Sequence, residues 1–285
     1  MYTKKRAIGR IKSSFEIWRS SHSLLEKIQE WLKFLLTGRS LKFGLVYDNF
    51  HLLQIPDANS LLVLQEIFEH KVYDLFYPKT NPTIVDIGSH IGLSILFFKN
   101  KFPEAKIYGF EPNPRTFRYL SENIKRNNNT SDIQLHNKAV VEKSAKNKLY
   151  VKSLFSSRSS LFANVGTRKL QTVTVDTINF SELLKKFKKI DILKIDAEGM
   201  EHKFLPELLK HHSKIASMFI EVHRFDDLDV NYYEFLYHLS KKFEIYTTSS
   251  IPLNYVEAIR KHHRAYRRND PFLIFAKNKK FFPTV

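Results

Sequence analysis

Residues 85–92 read "VDIGSHIG", and the two glycines at that spacing after an apolar run decide how the rest of the chain is read. The run Thr83-Ile84-Val85 is short and β-branched, which predicts a buried strand over 83–87. Gly88 and Gly92 then bracket a tight turn into an apolar helix near 91–102. Strand, glycine turn and helix form a cradle with backbone amides and a helix N-terminus at its mouth. A dinucleotide turn would read G-x-G-x-x-G. Counted from Gly88, the second and third positions are His90 and Leu93. A nicotinamide-dependent oxidoreductase therefore loses its main support, and a ligand smaller than a pyrophosphate fits better.

From residue 82 onward, strands and helices alternate. Strands are expected at 83–87, 105–110, 132–136, 190–195, 215–222, 243–247 and 272–277, with helices near 91–102, 114–128, 199–211 and 231–242. Such alternation implies an α/β fold with a mainly parallel sheet and helices on both faces. The rhythm breaks between 137 and 189. There "KLYV" and "LQTVTVDTI" read as extra strands around the Ser-rich stretch "SLFSSRSSLF". Residues 41–78 read as a mixed connecting region.

The second strand carries an acid at its tip. "KIYGFEPNPRTF" ends its apolar run at Glu111, where a carboxylate can accept two hydrogen bonds from a ribose diol. Pro112 and Pro114 frame the turn, and proline suits a first helical turn. Asp86, Gly88, Gly92 and Glu111 thus fall on successive strand ends.

"VDIGSHIG", "GFEPNPRTF", "NKAV", "SSRSSL", "LKIDAEGME" and "EVH" occur in the order that resembles FkbM-type S-adenosylmethionine-dependent methyltransferases, over about residues 82–224. The resemblance implies a class I, Rossmann-like methyltransferase fold of seven strands ordered 3-2-1-4-5-7-6, the seventh antiparallel. It implies a cofactor, S-adenosyl-L-methionine, whose methionine end lies along Asp86, Gly88 and Gly92, with Ser89 and His90 where the family usually has Ala-Asn. It further implies that Glu111 holds the ribose, that Pro112 and Asn113 lie beside the adenosine, and that Asn137, Lys138 and Ala139 lie near the adenine. On this reading residues 79–280 are the methyltransferase domain and 1–78 a basic, amphipathic, helical extension.

Methyl transfer from a sulfonium is an in-line displacement. The protein must align a nucleophile, exclude water and take a proton from a hydroxyl. Two strand ends offer the groups. In "ILKIDAEGMEH", Asp196 and Glu198 stand just past a buried strand and Gly199 opens a helix. The resemblance places Asp196 near the methyl group and the acceptor, with Glu198 and Glu201 in support. In "FIEVH", Glu221 and His223 are two apart and share a strand face. A carboxylate beside an imidazole sets its tautomer and raises its basicity, so His223 is the first candidate base and Asp196 the second. The same four groups, Asp196, Glu198, Glu221 and His223, are also of a type that holds Mg²⁺ or Mn²⁺. Their spacing demands no metal, and none is expected. Ser159 and Ser160, within "SSRSS", are candidates for acceptor contacts in a loop over the pocket, or else belong to a hairpin.

The chain of 285 residues has no cysteine, which excludes disulfides, thiolate metal sites and thiol catalysis. Its net charge of +17 is concentrated at the ends: +7 in residues 1–45 and +6 in 261–285. Basic ends fit an anionic surface or an anionic acceptor. Residues 23–36, "SLLEKIQEWLKFLL", read as a Ser23/Glu26-capped amphipathic helix that packs on its own domain or lies on a membrane. No run of 18 apolar residues is present, so a cytoplasmic protein is expected, with peripheral contact to an anionic inner membrane face as an option. Two readings follow. The first is an O-methyltransferase acting on a hydroxyl of a sugar, glycan or related polar metabolite. The second is a non-catalytic protein of the same fold that binds nucleic acid or membrane through its basic ends. No Asn-Pro-Pro-aromatic stretch is present, so nucleic acid is not the expected methyl acceptor.

Overall fold

Thr83–Ile87 (β3) lies at the centre of a seven-stranded sheet, and its neighbours explain why it is buried on both faces. The computed structural model describes residues 45–47, 50–52, 60, 63–74, 80–127, 132–143, 147–151, 159–160, 171–223, 232–247 and 272–282. The amphipathic helix expected at 23–36 and the first 44 residues of the basic N-terminus lie outside them, as do 248–271. The strands preceding β3 are Leu45–Tyr47 (β1) and Phe50–Leu52 (β2), an antiparallel pair.

Beside β3 the sheet runs through Lys106–Phe110 (β4) to Ile133–His136 (β5) on one side. On the other side lie Ile190–Ile195 (β11) and Ile215–Val222 (β12), then Phe272–Asn278 (β14) and Phe243–Thr247 (β13). β14 is antiparallel to both its neighbours, and the remaining pairs are parallel. The resulting order, β5-β4-β3-β11-β12-β14-β13, is the 3-2-1-4-5-7-6 order of a class I methyltransferase.

Two cores sandwich the sheet. Strand residues alternate between faces, so Ile84, Ile107, Ile192 and Phe219 join one core while Val85, Leu193, Met218 and Ile220 join the other. On the first face pack helices Leu93–Lys101 (α1) and Pro114–Arg126 (α2). α1 is apolar around nearly its whole circumference, and residues 93–99 are all buried, as expected of a helix with no solvent face. On the second face pack Phe180–Lys185 (α3), Leu205–Lys210 (α4) and Tyr232–Ser240 (α5). Each fully buried Leu, Ile or Phe contributes roughly 1.5–3 kcal/mol.

Three expectations are revised. The helix expected over 199–211 is a 3₁₀ turn, Glu201–Phe204, followed by the short α4. Pro206 stands near the α4 N-terminus, where its missing N–H is tolerated but continuous α-helix through it is not. Gly199 has φ +106° and belongs to the preceding turn rather than to a helix start. The connecting region over 41–78 is not merely a connector. It contains a π-helical turn, Gln65–Glu69, and Leu64, Ile67 and Tyr73 are buried in the first core against α1.

The break in rhythm after 137 is a set of small sheets. Ala139–Val141 (β6) pairs in parallel with Thr177–Asn179 (β10). Asn147–Val151 (β7) pairs antiparallel with both Ser159–Ser160 (β8) and Gln171–Val175 (β9). The backbone of Ser159 and Ser160 therefore forms a short strand, as in the hairpin alternative. Among the described residues no helix is long and apolar enough to cross a membrane.

Candidate active site

The C-terminal ends of β3, β4, β11 and β12 meet where strand order reverses, between β3 and β11. Open α/β sheets present their ligand crevice at such a switch point. The turn after β3 is fixed by the strands beside it. The Gly88 and Ser89 amides both donate to the Phe110 carbonyl, at 2.9 and 3.0 Å, and the Ser89 hydroxyl donates to the Asp86 carbonyl at 3.0 Å. Gly88 has φ +81°, and a Cβ there would lie 1.9 Å from the Asp196 carbonyl oxygen. Glycine is thus required at 88, because β3's turn and the β11 exit touch through their backbones. Gly92, φ +93°, is the α1 N-cap and faces Leu120 of α2.

Glu111 closes this turn from β4. Its Oε2 accepts from the His90 amide at 3.0 Å and its Oε1 from the Asn113 amide at 2.8 Å. His90 has φ +49°, one of three non-glycine residues with positive φ among those described. Each carboxylate oxygen keeps a lone pair for a ligand. Burial pushes Glu111 up to about 7, against the opposing pull of those two amides. Asn113 caps α2 by accepting from the Arg115 amide at 3.1 Å, with Pro114 beside it. The Asn137 amide nitrogen donates to the Glu111 and Pro112 carbonyls at 2.8 and 3.0 Å, which brings the 137–139 stretch to the β4 tip. There Lys138 is exposed and Ala139 buried.

Sequence reasoning missed Lys194. It is the register partner of Asp86 across β3 and β11, and its side chain is 4% exposed. Its Nζ lies 3.2 Å from Asp86 Oδ1 and 3.6 Å from Asp196 Oδ2, and donates to the Gly88 carbonyl at 2.6 Å. Burial would lower its pKa, but the Asp86 and Asp196 carboxylates raise it and hold it charged. The Ser94 hydroxyl donates to Asp86 Oδ2 at 2.5 Å. The signal was present: a lysine inside the otherwise apolar strand "IDILKI" must be paired if it is buried.

The second group of acids converges on His223. Its Nδ1 is 3.0 Å from Glu201 Oε1, and Glu201 is almost fully buried and accepts from the Ala197 and Gly199 amides. Its Nε2 faces Glu198 Oε2 at 3.5 Å, Glu221 Oε1 at 3.8 Å and Asp196 Oδ1 at 3.9 Å. The acid that sets the imidazole tautomer is therefore Glu201, not the Glu221 expected from i, i+2 spacing. Burial alone would lower His223, but the charge and hydrogen bond of Glu201, with Glu198 and Asp196 behind, hold it well above its ordinary value. Burial pushes Glu221 up to about 8, with the Asp196 charge adding to it. Asp196, Glu221 and His223 each offer one ligand atom within 4.8 Å of the others. Glu198 has φ +48°, a backbone geometry that aims its side chain from a tight turn.

The stretch that carries these groups is similar in sequence to known proteins. The model of the methyltransferase FkbM domain matches residues 86–245. Methyltransferase sdnD of Sordaria araneosa is 28% identical over 199 residues, spanning 59% of this chain and 76% of its own. Hexuronic acid methyltransferase AglP of Haloferax volcanii is 30% identical over 143 residues, 48% of this chain and 54% of its own. The crystal structure of methyltransferase FkbM from Methylobacillus flagellatus KT aligns over 75% of this chain and 47% of its own, at 13% identity and a TM-score of 0.44. Since the matched domain spans more than half of the sequence, from Asp86 to the strand at the sheet edge, this chain belongs to the FkbM methyltransferase family and is a methyltransferase.

Proposed function

We propose that the protein is an S-adenosylmethionine-dependent O-methyltransferase that acts on a hydroxyl of a sugar, glycan or related polar metabolite. The observation that carries the cofactor reading is Glu111. It is a desolvated carboxylate at the β4 tip, with each oxygen held by one backbone amide and acceptor capacity left over. Two ribose hydroxyls donating to it would supply the hydrogen bonds that its burial withholds. Asp86, Gly88, Ser89, His90 and Gly92 would line the methionine end. Pro112, Asn113, Lys138 and Ala139 would lie along the adenosine, and Asp196 would lie near the methyl group.

The bound cofactor supplies a methyl group on a positively charged sulfur. The carboxylates of Asp86, Asp196 and Glu198 lie about one buried ammonium, Lys194, and the His223 imidazole, which favours a cationic ligand there. In such a transfer the methyl carbon would pass to the acceptor oxygen while sulfur would keep the electron pair of the broken bond. We assign removal of the acceptor's proton to the cluster of Asp196, Glu221 and His223, with Glu198 at its rim. Ser159 and Ser160 are proposed as acceptor contacts.

The sugar reading draws support from the similarity to AglP, a hexuronic acid methyltransferase by name. Its test is transfer of label from S-adenosyl-[methyl-³H]methionine to a panel of free hexuronic acids, neutral glycosides and amino compounds. Label on an alkali-stable ether of a sugar supports the proposal. Label only on amines contradicts it.

A further inference from the structure

We propose that the end of the sheet opposite the crevice is a docking face for an anionic membrane surface. β11 and β12 begin there at Ile190 and Ile215, β13 begins at Phe243, and β14 ends at Asn278. Strand pairing sets these ends side by side, Ile190 against Ile215 and Phe243 against Asn278. The Asn278 side-chain amide donates to the Ile215 carbonyl at 2.7 Å, and the Lys279 amide to the Lys242 carbonyl at 3.3 Å. The stretches that enter and leave the four strands here are rich in lysine: "KKFKK" at 185–189, "KK" at 241–242 and "KNKKFF" at 277–282. Among the described residues, Lys189 pairs with the buried Asp191 and Lys277 with Glu244. Lys188, Lys241, Lys242 and Lys280 are exposed, so this edge turns a concentrated positive charge to solvent.

A second observation falls on the same edge. Tyr237, 44% exposed, is the one large hydrophobic side chain exposed among the described residues, and the Lys241 ammonium lies 4.2 Å from its ring centroid. Phe281, half-buried, has the Lys189 and Lys280 ammoniums 4.7 and 5.8 Å from its ring centroid. Rings set among lysines are amphipathic in the way that suits a lipid headgroup layer, where aromatic side chains meet acyl chains and ammoniums meet phosphates.

Three features favour a membrane over a nucleic acid. The cations of these stretches are all lysines, which suit a diffuse anionic surface, whereas bidentate phosphate recognition calls for arginine. The Phe281 ring is flanked by ammoniums rather than left open for a base to stack on. Four strand ends at about 4.8 Å spacing make a face about 15 Å across, not a groove that tracks one strand. Because the crevice lies at the other end of β11 and β12, a membrane held here leaves it open to water. Vesicle binding needs neither cofactor nor acceptor, so it is read independently of the methyl-transfer reading.

The test is co-sedimentation of the full-length protein with vesicles of phosphatidylcholine, alone or mixed with phosphatidylglycerol, over a range of salt concentrations. Binding to the anionic vesicles only, weakening as salt rises, is expected. A lysine close to an anionic leaflet adds about fivefold to binding. Lys241→Gln with Lys242→Gln, and Lys279→Gln with Lys280→Gln, should therefore each weaken it by about 10–30-fold, with circular dichroism reporting the fold of both. Lys143→Gln with Lys148→Gln, exposed lysines after β6 and in β7, should leave it unchanged. A polyuridylate titration runs alongside. No binding to anionic vesicles, or equal binding to neutral ones, overturns the proposal. Wild-type vesicle binding by both folded patch variants also overturns it, since the charge responsible would then lie elsewhere in the chain. Polyuridylate binding that both patch variants lose, without vesicle binding, overturns it in favour of a nucleic-acid face.

Discussion

Lys194 and Asp86 face each other across two neighbouring parallel strands, and their buried ion pair of 3.2 Å sits directly beneath the glycine turn. The same ammonium reaches the Gly88 carbonyl and Asp196, so one lysine ties together the exits of β3 and β11. Replacing Lys194 by Met leaves the Asp86 carboxylate buried without its cation. A loss of about 3–5 kcal/mol is expected, read as a lowered urea midpoint at unchanged slope. An unshifted midpoint would mean that the pair is not what stabilises this turn.

Gly88→Ala tests the backbone contact. The added Cβ would lie 1.9 Å from a carbonyl oxygen, at a φ of +81° that alanine adopts only with strain. Something in the two strand exits must move, so folded yield and cofactor binding should both collapse. Wild-type binding by the alanine protein would contradict the described turn.

Glu111 gives the site a pH dependence whose sign follows from its burial. Its pKa is raised from 4.5 to about 7 in the folded state. Its contribution to stability is therefore fully present below about 4.5 and lost as pH rises through about 7, so the empty protein should weaken across that window. Ligand binding has the opposite trend, because the ionised carboxylate is the better acceptor. Cofactor affinity should fall by about tenfold between pH 8 and pH 6, and Glu111→Gln should flatten that dependence and weaken binding throughout. A pH-independent affinity in the wild type would remove Glu111 from the ribose.

His223→Ala separates chemistry from binding. On the proposed reading His223 serves the acceptor's proton and Glu111 the cofactor's ribose, so turnover should drop by about 10²–10⁴ while cofactor affinity stays near wild type. If both fall together, the imidazole is part of the cofactor pocket instead.

Much of this arrangement could be read from short local signals. The β-branched run ending at Asp86, the glycines at 88 and 92 and the acid at the end of "KIYGF" each report a strand exit, and strand exits in a parallel sheet fall on one edge. Long-range partners were not legible. Glu201 orients His223 because the turn through Ala197 and Gly199 folds its carboxylate back beneath the imidazole, whereas i, i+2 spacing pointed to Glu221. Helical periodicity over 199–211 concealed the division at Pro206, since apolar spacing survives where backbone donors do not. Tyr73 was hidden for another reason. Nothing in a mixed polar and aromatic stretch tells which aromatic is inserted against α1 and the sheet.

The most direct test of the active-site assignment is calorimetric titration of the purified protein with S-adenosylmethionine, S-adenosylhomocysteine and NAD in parallel. Micromolar binding of the first two, with no heat from NAD and none from either in Glu111→Ala, is the predicted result. Binding of NAD in their place, or wild-type affinity in Glu111→Ala, would contradict the assignment of the turn at residues 85–92 to that cofactor.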